Sequence, residues 1–97
     1  MAKYVRLPKS FELMGHTWQV VQTAEKLSDG DLGHCSQNEL TIRIDPNQPA
    51  ITKSHTFFHE LVHAILFALG KEELNSDEGL VDAIGGALDQ YHKTKKY

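Results

Sequence analysis

Two histidines four residues apart, with a glutamate directly after the first, stand in the run His59-Glu60-Leu61-Val62-His63. On a helix, residues four apart lie one above the other, so His59 and His63 can offer two imidazoles to one metal ion. Glu60 is turned about 100° from His59, where its carboxylate can reach a water on that ion rather than the ion itself. The surrounding residues are apolar on most sides: Ile51, Phe57, Phe58, Leu61, Val62, Ile65, Leu66 and Leu69. Such a helix is buried on several faces. Polar groups buried in it without partners would cost about 2–7 kcal/mol each. A metal would satisfy all three.

A catalytic zinc takes three protein ligands and keeps one position for water. The third ligand must come from outside the His59–His63 turn. The continuation HExxHxxGxxH is absent, because Leu66 and Leu69 hold the places of its glycine and third histidine. Cys35 is the only cysteine, which excludes a cysteine-rich zinc site and any disulfide within the chain. A carboxylate from a second helix is the remaining main solution. Glu78 and Asp82 stand four apart on one face of such a helix, and Asp77 is adjacent.

The segment from His59 to Leu88 resembles the gluzincin arrangement, in which HExxH is followed by a helix carrying ExxxD; Glu78-Gly79-Leu80-Val81-Asp82 matches the second motif. The chain is also similar to the very small metallopeptidase-like proteins of phages and prophages, and more distantly to ImmA/IrrE-type domains. The likeness covers about two-thirds of the chain, and only HExxH and ExxxD are specific. It implies Glu78 as third ligand and Asp82 as the group that holds a ligand histidine in its tautomer. It further implies one zinc per chain and a strand-rich first half. Gly85-Gly86 departs from the family, whose members tend to carry alanine there.

Other polar residues have weaker claims. His55 lies one turn before His59 and could add a ligand, but reads better as a partly exposed helical residue. His34 and Cys35 fall on a strand expected beside the cleft, which gives His34 a possible substrate-side role and makes Cys35 a small buried thiol. Gluzincins often use a His or Tyr as a transition-state donor, which brings in Tyr91 and His92 without choosing between them. His16 reads as a turn residue.

The elements that must position these groups follow from pattern. Ser10–Leu13, a turn at Met14-Gly15-His16, and a strand to Thr23 carry the alternation of Trp18, Val20 and Gln22 against Thr17, Gln19 and Val21. Tyr4–Leu7 reads as an edge strand or a leading helix, ended by Pro8. Gly33–Ser36 and Leu40–Ile44 predict a hairpin joined by Gln37-Asn38-Glu39. A zinc helix is expected over 50–69 with Gly70 as its stop. A loop follows at Lys71–Asn75, then a closing helix over 76–93 with Ser76 as N-cap. Its expected apolar stripe is Leu80, Ile84, Ala87, Leu88 and Tyr91. Gly85-Gly86 weakens that helix by about 1 kcal/mol per glycine, which suggests a close neighbour such as the zinc helix.

The fold expected is therefore α+β in a single domain over 1–97: a small twisted sheet of three or four strands, antiparallel or mixed, on two main helices. At 97 residues the chain is near the lower limit for a core without staples, so a metal would help it fold. A net charge of −3 argues against a nucleic-acid-binding surface, and Lys93, Lys95 and Lys96 read as a solvated tail. No stretch has the length of a membrane span or a signal peptide, which makes the cytoplasm the expected location. The function expected is zinc-dependent hydrolysis of a peptide or protein substrate with Glu60 as general base. The alternative is a metal-holding binding or regulatory protein of the phage-accessory kind with little hydrolysis.

Overall fold

The computed structural model describes residues 6–97, and within them the chain is α+β: a four-stranded mixed sheet with two main helices and one short one. The expectation at Tyr4–Leu7 falls largely outside the described residues; Arg6 and Leu7 belong to no strand or helix.

Strands β1 (Ser10–Leu13) and β2 (His16–Gln22) form a hairpin whose turn puts Met14 and Gly15 at φ 51° and 85°. Two left-handed residues in a row give the turn a twist that suits the flanking strands. His16 opens β2 rather than sitting in the turn. β3 (Gly33–Ser36) and β4 (Thr41–Ile44) form the second hairpin. Leu40, expected to start β4, instead completes its turn at φ 50°.

The sheet order is β1-β2-β4-β3, with β2 and β4 parallel and Val20 opposite Ile42. β3 is thus an edge. Alternation places Trp18, Val20, Ile42 and Ile44 on the inner face, where they pack with Phe57 and Ala64. Phe11 stacks on Trp18 and meets Phe57 edge-on.

α1 (Ala50–Ala68) lies across that face. Gly70 ends it at φ 69°, and the amides of Gly70 and Lys71 donate to the carbonyls of Phe67 and Leu66. This pairing satisfies two of the helix's last free carbonyls. Lys71–Asn75 is not wholly loop: Glu72–Asn75 forms a single helical turn, α2, and Ser76 closes it. Asp77, not Ser76, caps α3 (Glu78–Thr94) by accepting from the Leu80 amide.

α3 packs on the side of α1 away from the sheet, so α1 is the middle layer. Its buried line differs from the expected stripe. Val81, Gly85 and Asp89 face inward, Leu88 beside them, while Ile84 and Tyr91 are exposed. Hydropathy alone points the wrong way, because the contact uses a glycine for closeness and an aspartate for a hydrogen bond. Asp89 bonds Ser54 of α1 and, at 2.8 Å, the ammonium of Lys93, which also donates to the Ile51 carbonyl. Lys93 is therefore fixed between helices rather than part of a solvated tail. No helix among the described residues is long and apolar enough to cross a membrane.

Candidate metal centre

Glu78 and Asp82 reach His59 and His63 because the true contact line of α3 runs beside them. At about 100° per residue, Glu78 falls within about 60° of Val81, on the face turned toward α1. Gly85 brings the helices close at this level: a Cβ there would stand 2.9 Å from both Cα and N of His59.

His59 Nε2 and His63 Nε2 lie 3.2 Å and 3.3 Å from Glu78 Oε1, and the three ligand atoms fall within 4.8 Å of one another. The other ring nitrogens are engaged. His59 Nδ1 is 3.0 Å from Asp82 Oδ1, and His63 Nδ1 is 2.6 Å from Asn75 Oδ1. Both partner atoms are acceptors, so each Nδ1 donates a proton, and a ring in its neutral form then turns its Nε2 lone pair toward Glu78. Two ring lone pairs and a carboxylate oxygen turned toward one point are a donor set suited to a divalent ion. A four-coordinate ion with bonds of about 2.0–2.1 Å holds neighbouring donors about 3.3 Å apart, which the two separations from Glu78 fit. His59, His63 and Glu78 thus form a group that could hold a metal ion.

Glu60 is buried, and its burial raises its carboxyl pKa above the ordinary range against the pull of His59, His63 and His34. Asp82 is held below its usual range by hydrogen bonds from His59 and His55. Gly33 lets β3 press on α1 beside Glu60: a Cβ there would be 2.6 Å from Thr56 Cγ2 and 3.3 Å from Glu60 Cγ. An open groove of about 620 Å³ starts at His59 and Glu60 and runs along α1 past Thr56, His55 and Ile51, between the Gly30–Gly33 segment and α3.

His34 is exposed on edge strand β3, near enough for its charge to act on Glu60. Cys35, expected as a buried thiol, is partly buried against the core, and that burial with the nearby Glu60 charge pushes its thiol up to about 12. Tyr91 and His92 are not brought to the site. They stand thirteen and fourteen residues after Glu78 on one helix, about 20 Å along its axis; Tyr91 is exposed and His92 packs on Phe58. Asp77 serves as a cap.

Two contributors escape motif reading. Asn75 is found only by asking where the second histidine's Nδ1 proton goes. Gln48 is buried, donates to the carbonyls of Leu32 and Asp45, and accepts from Thr56, which pins the groove's outer wall to α1. Comparison with protein-family models, with curated proteins and with solved structures found no match.

Proposed function

We propose that this chain is a zinc-dependent peptide hydrolase. The observation that carries the reading is the convergence of His59 Nε2, His63 Nε2 and a Glu78 oxygen, each ring fixed from behind, beside the buried carboxylate of Glu60. Bound there, zinc supplies Lewis acidity that makes water a nucleophile near neutral pH and polarises the scissile carbonyl. Glu60 accepts a proton from the attacking water and delivers it to the leaving amine nitrogen as the C–N bond breaks. Its burial suits the task, since a raised carboxyl pKa makes Glu60 a stronger base toward that water. Among the described residues β3 pairs with β4 alone, so backbone groups of Gly33–Ser36 are available to align an extended peptide along the groove.

The test is Glu60→Gln in zinc-loaded protein, with hydrolysis read over a peptide library. The substitution should leave metal content and fold unchanged and lower hydrolysis by about 10²–10⁴-fold. Equal hydrolysis by Glu60→Gln would overturn the mechanism. Zinc-loaded wild type that cleaves nothing in the library would favour a metal-holding regulatory protein.

A further inference from the structure

Asp82 Oδ1 is shared. It lies 3.0 Å from His59 Nδ1 and 3.2 Å from His55 Nε2, so one carboxylate oxygen accepts from two rings. Those rings stand one turn apart on the same face of α1, and Asp82 reaches between them from α3. The Asp82 side chain is 61% exposed, which leaves it open to competition from water. Held by His59 alone, it could exchange that bond for a solvent one. With His55 gripping the same oxygen, both acceptor positions of Oδ1 are used by donors riding on one rigid helix.

We propose that His55 is a positioning residue for the metal group. It holds Asp82 in place, Asp82 fixes the tautomer and orientation of His59, and His59 turns its Nε2 toward Glu78. His55 itself touches no metal ligand atom in this chain of contacts. The inference rests on the metal-binding reading of His59, His63 and Glu78. It assigns the third histidine of the ladder His55, His59, His63 to support rather than ligation.

An exposed His–Asp pair is ordinarily worth little to stability. The test must therefore read metal affinity and coupling. Zinc is titrated against a chromophoric chelator for wild type, His55→Ala, His55→Gln, Asp82→Ala and the double alanine variant. The unfolding midpoint of each metal-free chain is measured alongside. Outer partners of metal ligands are worth about 10–100-fold in affinity, which is the loss expected for Asp82→Ala; the more remote His55→Ala should lose about three- to tenfold. His55→Gln, which keeps an N–H donor, should recover most of it. In the Asp82→Ala background, His55→Ala should change nothing further.

Unchanged affinity in His55→Ala would overturn the proposal while leaving the metal site standing. So would the same loss repeated in the Asp82→Ala background, because His55 would then act by another route. A metal-free midpoint falling equally in the alanine and glutamine variants, with no recovery of affinity by glutamine, would reduce His55 to helix packing. Failure of the wild type to bind zinc would remove the metal reading itself, and this inference with it.

Discussion

Gly85 and His59 bring the two main helices into backbone contact: a Cβ on Gly85 would stand 2.9 Å from the Cα of His59 and 3.2 Å from the carbonyl carbon of Phe58. No flexible side chain can yield there, because the obstacle is main chain. The adjacent glycine differs. A Cβ on Gly86 would meet only the His55 ring, at 3.6 Å, an ordinary contact. Gly85→Ala should therefore cost about 1–3 kcal/mol through overpacking. It should also weaken metal binding, since α3 must retreat from His59 and carry Glu78 with it. Gly86→Ala should stabilise by about 0.4–1 kcal/mol by restricting the unfolded chain. Urea denaturation of the two variants checks this. Equal effects of the same sign would show that the glycine pair is not there for the helix contact.

Asn75 holds His63 as Asp82 holds His59, but from a neutral amide at 2.6 Å. Asn75→Ala leaves the Nδ1 proton of His63 without its partner and frees the ring to turn. Zinc affinity should fall by about 10–100-fold. Asn75→Asp should keep the acceptor and most of the affinity. Competition titration with a chelator reads both, and wild-type affinity in Asn75→Ala would dismiss Asn75 as a support.

The histidine pair, the glutamate and the ExxxD helix were legible because each relation is local: spacings of one, three or four residues on a helix have fixed geometric meaning. The hairpin at Met14-Gly15 was legible for the same reason. What spacing could not convey was how α3 turns its faces. Leu80, Ile84 and Tyr91 read as a core stripe, yet the contact with α1 is made by Val81, Gly85 and Asp89, two of which bring no apolar side chain. The parallel pairing of β2 with β4 was equally hidden. The alternation of Trp18-Val20 and Ile42-Ile44 says which face is inward, not which strand is the neighbour. Gln48, Asn75 and the Ser54–Asp89 bond join residues eight to thirty-five apart and leave no periodic trace.

Asp89 should be the most sensitive polar residue away from the metal group. Its carboxylate is buried between Ser54, itself fully buried, and Lys93. Asp89→Ala would leave the buried Ser54 hydroxyl without its partner and take the carboxylate from the Lys93 ammonium, which keeps the Ile51 carbonyl, and breaking a buried pair by removing one partner costs about 3–5 kcal/mol. Asp89→Asn, which retains an acceptor for Ser54, should cost less. Chemical denaturation separates them, and a loss within about 0.5 kcal/mol for Asp89→Ala would place it among ordinary surface substitutions.

Cys35 tests the packing of β3 against α1 without touching the metal group. Burial, aided by the Glu60 charge, lifts its thiol from 9.0 to about 12. Only the thiolate attacks an alkylating reagent, and a rise of that size cuts its fraction at pH 8 by about a thousandfold. Native labelling with iodoacetamide at pH 8 should thus be at least about a hundredfold slower than in denaturant, with transient opening setting the residual rate. The same shift carries a sign for stability. The unfolded chain gives up this proton as pH passes 9.0, while the folded chain holds it to about 12, so this thiol's contribution is fully present below 9.0 and declines between those values. Labelling at the denatured rate under native conditions would mean that β3 does not seal Cys35 against α1. The wall of the groove beside Glu60 would then be looser than the contacts at Gly33 require.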